Sequence, residues 1–210
     1  MEKILKAAAI AWNPVGEVRR RLAEGTSTAG AMLVPFVGVI IACNLFAVGA
    51  QKFFLEALMY RLGGEMPNNP LFTSDYALRL MSAVGVLAPI GAVAILPRSV
   101  FGAVGRSATI GGILAAFAGW SFYGAVLSVF VHFVSGALVT VDLQLGLTVY
   151  TLLAVPMIAI IFVLTLFFWF RILLSVLGLG GSQVAVISVA AALAIGVLIG
   201  FASFIGSAAS

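Results

Sequence analysis

The chain has 210 residues, of which 63% are hydrophobic and 9% charged, with a mean hydropathy of +1.22. Soluble domains carry roughly 25% charged residues, so this composition excludes a water-soluble globule and points to an integral membrane protein. The net charge is a small +4, so its distribution matters more than its size, and no nucleic-acid partner is expected.

Residues 1–24 are too polar to span a bilayer but are patterned. Ile4, Ala8, Trp12, Val15, Val18 and Leu22 recur at steps of three and four, with Lys3, Lys6, Glu17, Arg19, Arg20 and Arg21 between them. This spacing predicts an amphipathic helix, bent at Pro14, lying on the inner leaflet. Asn13-Pro14 also suits the start of a second helix. Trp12 and Arg19–Arg21 are the candidate contacts to anionic headgroups or to a cytoplasmic partner protein; each basic charge near such a surface is worth on the order of 1 kcal/mol. No cleaved signal peptide is expected, because Asn13-Pro14 interrupts the short apolar run Ala7–Trp12.

Five apolar blocks follow: Ala29–Ala50, Leu80–Leu96, Ile110–Val131, Leu145–Phe170 and Val184–Ile205. A spanning helix needs about 20 apolar residues for a hydrocarbon core of about 30 Å. At about 1.5 Å per residue, the second block reaches roughly 26 Å and the fourth roughly 39 Å. The second is slightly short, and the fourth must tilt, kink or protrude. None alternates every second residue as a β-barrel strand would. The fold expected is all-α: a polytopic five-helix transmembrane domain over residues 29–205, preceded by the N-terminal interfacial segment 1–24. Gln51–Leu62 either prolongs the first span or lies along the surface. Gly63–Pro70 is the clearest loop, punctuated by glycine and proline.

Basic residues orient the bundle. Of the eleven, a cytoplasmic N-terminus puts eight inside and three, Lys52, Arg61 and Arg79, outside. The positive-inside rule favours that arrangement, which leaves the C-terminus outside.

Within the blocks, Pro35, Pro89 and Pro156 can kink their helices. Glycines cluster at Gly111, Gly112, Gly119 and Gly124. Gly196 and Gly200 form a GxxxG step that lets helices approach closely, either within one chain or in a homo-oligomer. The milder polar residues Asn44, Ser121, Tyr123, Ser128 and Thr165 suit hydrogen bonds between helices or back to their own carbonyls. Trp169-Phe170-Arg171 reads as an inner-leaflet anchor, and Trp120 as a packing residue.

Chemistry is sparse. The single histidine, His132, has Ser128 and Ser135 nearby and Asp142 further on, but no G-x-S-x-G accompanies them. One histidine, one cysteine (Cys43) and scattered carboxylates do not supply a clustered metal site. No phosphate-binding G-x-x-x-x-G-K-[ST] is present. No catalytic residue, cofactor or metal is therefore assigned, and no enzymatic activity is expected.

The layout resembles the Yip1-domain family of small five-span membrane proteins, in its bacterial form. Three segments carry the likeness: Asn13-Pro14 running through Glu17-Val18-Arg19 into block one; Asp142 and Gln144, then Val149-Tyr150-Thr151 and Pro156; and Trp169 ahead of Leu177-Gly178-Leu179. The chain lacks the long hydrophilic N-terminal region and the Asp-Leu-Tyr-Gly-Pro motif of eukaryotic members, so their link to Rab-type GTPases does not transfer. The resemblance implies a bacterial inner-membrane protein, acting without enzymatic chemistry in membrane organisation, scaffolding or partner recruitment. The alternative is a transporter or channel for a small solute or lipid, without ion coupling, lined by Asn44, Pro89, Tyr123, Pro156 and Thr165.

Overall fold

A computed structural model describes residues 1–25, 29–61, 86–139 and 143–208. Among these the chain is all-helical. The elements are α1 (Glu2–Trp12), α2 (Pro14–Ala23), α3 (Ala29–Arg61), α4 (Leu87–Ile95), a 3₁₀ turn (Arg98–Phe101), α5 (Gly105–Val139), α6 (Leu143–Phe170), a π-helical turn (Arg171–Val176) and α7 (Gly181–Ala208).

Three stretches are long and apolar enough to cross a membrane: Met32–Ala50, Gly105–Val131 and Ala159–Val176. By length and composition this is a membrane protein. The first two stretches fall on the first and third apolar blocks, and the last shares residues 159–170 with the fourth block and runs on to Val176. The fifth block falls on α7, of which Gly181–Val197 is an apolar helix among the described residues. Part of the second block, 80–85, lies outside the described residues, and its remainder forms α4. The predicted loop Gly63–Pro70, Arg79 and Asp142 also lie outside them. Gln51–Arg61 continues α3 without a break, so that stretch prolongs the first helix.

The N-terminal pattern folds differently from one continuous face. Asn13 leaves helical geometry at φ −135° and ψ 70°, and its side chain accepts a hydrogen bond from the Gly16 amide at 3.0 Å. An asparagine cap followed by proline at the first helical position starts a new helix. The break rotates the stripe. In α2, Val15 and Val18 are buried as the spacing predicts. In α1, Ile4, Ala8 and Trp12 are exposed, and Ile10 and Ala11 are buried instead.

Helix direction follows from contacts along α5. A Cβ placed on Gly111 would strike Met32, Asn44 bonds to Ser121, and Phe54 meets Phe133 edge-on at 6.1 Å. Numbers rise together, so α3 and α5 run parallel. Against α6 they run oppositely: Gly112 faces Ile172, Gly119 faces Phe168, and Gly124 faces Ile161. α4 packs on α7. Missing side chains at Gly111, Gly112 and Gly119 are what allow this close approach.

The fully buried side chains gather towards one end of the bundle. They include Met32, Phe36 and Ile40 of α3, Ile113 and Leu114 of α5, and Ile172, Leu173 and Ile187. Towards the other end, Phe46, Phe53, Phe130, Phe162 and Val197 are exposed. Apolar side chains facing outward on long helices are what a lipid solvent accepts. Gly178, at φ 65°, ends the π-helical turn in a left-handed conformation that glycine adopts without strain.

Candidate functional site

The corner between α1 and α2 is the most heavily tied feature of the N-terminal region. The Tyr123 hydroxyl donates to the Trp12 carbonyl at 3.1 Å. That carbonyl belongs to the last residue of α1, where helix carbonyls lack intrahelical partners. Pro14 lies against Gly119 so closely that a Cβ there would be 2.8 Å from its Cγ. Trp12 meets Phe122 edge-on at 6.2 Å, and Tyr123 stacks on Phe168 at 6.0 Å. Three residues within one turn and a half of α5, Gly119, Phe122 and Tyr123, thus hold the corner.

From that corner α2 carries the basic run. Glu17 is its electrostatic centre. Its carboxylate accepts from Arg20 at 2.5 Å and from Arg21 at 3.2 Å, and Arg20 also reaches Glu24 at 2.5 Å. The hydrogen bond from Arg20 holds the Glu17 carboxyl below its usual range, with the charges of Arg20 and Arg21 adding to the effect against an opposing cost of burial. The same bonds, with those to Glu24, raise the Arg20 guanidinium. The Arg21 guanidinium lies over the Phe36 ring at 5.7 Å, a geometry that favours a cation. Arg19 and Arg20 are exposed and Arg21 is half-buried. The four expected surface residues Trp12, Arg19, Arg20 and Arg21 therefore share one short region, with different neighbours.

Of the residues considered as cavity lining, three are engaged in hydrogen bonds to backbone or to another helix. Asn44 donates to the Ile40 carbonyl at 2.8 Å and to Ser121 Oγ at 3.2 Å. Thr165 donates back to the Ile161 carbonyl at 2.7 Å, and Tyr123 is committed to Trp12. Pro89 is buried in the first turn of α4, where proline is tolerated, whereas Pro156 is exposed on α6. Gly196 and Gly200 are exposed, and a Cβ built on either meets no described atom within 4 Å.

Two ties escaped the sequence reading. Trp169 Nε1 donates to Ser188 Oγ at 2.8 Å, fastening α6 to α7. Arg106 donates to the Leu96 carbonyl, and its guanidinium lies over Phe101 at 5.6 Å, closing the turn between α4 and α5. No local pattern announces either partner. The Gly119 contact did have a signal, in the run of glycines along the third block.

Among the described residues, no group of three or more His, Cys, Asp or Glu stands together as metal ligands would. Comparison with family models, with curated proteins and with solved structures gives no match for this chain.

Proposed function

We propose that this chain is a non-enzymatic inner-membrane protein that organises the bilayer or recruits a partner at its cytoplasmic face. It crosses the membrane five times, with the N-terminus inside and the C-terminus outside. The resemblance to bacterial Yip1-domain proteins belongs to the same proposal. The observation that carries it is the fixed attachment of α2 to the bundle. Pro14 seats on Gly119, Tyr123 holds Trp12, and α2 leaves Arg19 and Arg20 on its outer side. A basic helix held rigidly beside spanning helices presents a constant surface to anionic headgroups or to an acidic partner.

The separate hydrogen bonds of Asn44, Tyr123 and Thr165 favour this reading over a solute pathway. Each is used to tie backbone or helices, as intramembrane polar groups commonly are. The test is covalent cross-linking in native membranes of the intact chain and of an Arg19→Ala/Arg20→Ala variant. A partner captured by the first and lost from the second supports recruitment through α2. Self-cross-links alone, together with solute flux in reconstituted vesicles, would overturn it.

A further inference from the structure

Charge sets limits on where the hydrocarbon layer can lie, and those limits place the corner between α1 and α2 deep inside it. Gly112 faces Ile172, the neighbour of Arg171, so Arg171 marks one edge of the layer. Since Asn44 faces Ser121 and α3 runs parallel to α5, Lys52 stands level with Val129 and marks the other. From Gly112 to Val129 is seventeen residues, or about 26 Å at about 1.5 Å per residue, close to the hydrocarbon thickness of about 30 Å. Placing either edge further out would draw Arg171 or Lys52 into the apolar layer, which is costly. The middle of the charge-free layer is therefore near Trp120 and Ser121. The contacts of the corner are with Gly119, Phe122 and Tyr123.

We infer that the corner between α1 and α2 is a wedge inserted to about the middle of the bilayer, whose exposed side chains pack among acyl chains of the inner leaflet. The inference rests on the inner-face reading proposed above and replaces a flat surface helix by a dipping one. Trp12 is 68% exposed, and at this depth it meets lipid rather than water. α2 then slopes back towards the inner edge. Pro14 is level with Gly119, whereas Arg21 lies over Phe36, four positions along α3 from Met32, which faces Gly111. This slope accounts for the pairing of Glu17 with two arginines. A carboxylate below the headgroups needs opposite charge beside it, and Arg20 and Arg21 supply it from the next turn of α2. An asparagine–proline break with its donor capped from Asn13 suits a turn in lipid, where an unsatisfied backbone group is expensive. A wedge in one leaflet only spreads that leaflet, so the lipid surface it fits is one that is loosely packed or curved towards the cytoplasm.

The experiment is depth-dependent quenching of Trp12 fluorescence. The full chain and its Trp12→Phe variant are reconstituted in vesicles whose lipids carry bromine either near the headgroup or near mid-chain. Subtracting the variant's signal isolates Trp12 from Trp120 and Trp169. Greater loss of Trp12 emission with mid-chain bromine is expected. Greater loss with headgroup-proximal bromine overturns the wedge and leaves the inner-face reading standing. Quenching by aqueous iodide, with no loss to either brominated lipid, overturns both. A spin label on Ala8→Cys in a Cys43→Ser background provides a second reading that leaves Trp12 and its contacts in place. Ala8 is exposed on the same helix, so the label should collide with oxygen in the lipid more than with a water-soluble nickel complex, and the opposite ratio overturns the wedge.

Discussion

Gly119→Ala probes the seat of the N-terminal helices most sharply. The new Cβ would lie 2.8 Å from Pro14 Cγ, and 3.1 Å and 3.3 Å from two ring carbons of Phe168. Both obstacles are rings and cannot fold away as the flexible ends of Met32 or Leu177 could. Overpacking of this kind costs about 1–3 kcal/mol. Alanine is also a better helix former than glycine by about 0.8–1.0 kcal/mol, which offsets part of the cost. Gly124→Ala is the internal control. It gains the same propensity, while its Cβ would stand 3.6 Å from Ile161, an ordinary contact. The difference between the two variants is therefore the packing term alone. Unfolding of the purified protein in mixed micelles, followed by circular dichroism, should show Gly119→Ala less stable than Gly124→Ala by about 1–3 kcal/mol. Each one or two kcal/mol is a factor of roughly 5–30 in the folded ratio. Limited proteolysis should cut residues 1–24 faster in Gly119→Ala. Equal stability and equal cutting would refute the seating of Pro14 on Gly119.

Further outcomes follow from single ties. Tyr123→Phe removes the donor to the Trp12 carbonyl and should cost about 1 kcal/mol, seen as faster amide exchange around residues 10–16. Asn44→Leu loses the link to Ser121 and should cost under about 2 kcal/mol, with no solute flux gained or lost in vesicles. Trp169→Phe should loosen α6 from α7 by a similar amount, measured by cross-linking between cysteines placed on the two helices. The Glu17 carboxyl is held below its ordinary value of 4.5. Its stabilisation is thus complete above that value and fades as pH falls through the lowered one. Below pH 4.5 the intact chain should lose thermal stability in nanodiscs faster than Glu17→Gln.

The sequence was most informative where the physics is one-dimensional. Long runs without charge identify spanning helices because an unpaired charge in lipid is costly wherever it sits along the helix, and three of the five blocks fall on helices of spanning length. Trp12 and Arg19–Arg21 are legible in the sequence as residue types that favour the membrane boundary, which does not fix their depth. Rotation was less legible. A single three-and-four spacing runs through residues 4–22, yet one residue off helical geometry at Asn13 turns the α1 half of it outward. Long-range partners were illegible altogether. Tyr123 meets Trp12 across 111 residues of sequence and Asn44 meets Ser121 across 77. Such bonds are set by helix register in the bundle, which depends on every contact at once. The glycines of α5 held the missing information, since a helix that lacks side chains on one side is expecting a neighbour there.

The most direct test of the proposed orientation is the side of the membrane from which position 19 can be reached. Arg19→Cys in a Cys43→Ser background is treated with a membrane-impermeant maleimide, in spheroplasts and in inverted inner-membrane vesicles. Labelling in the inverted vesicles and not in the spheroplasts is the expected result. Labelling in spheroplasts would place α2 on the outer face and contradict the proposed orientation and recruitment surface together.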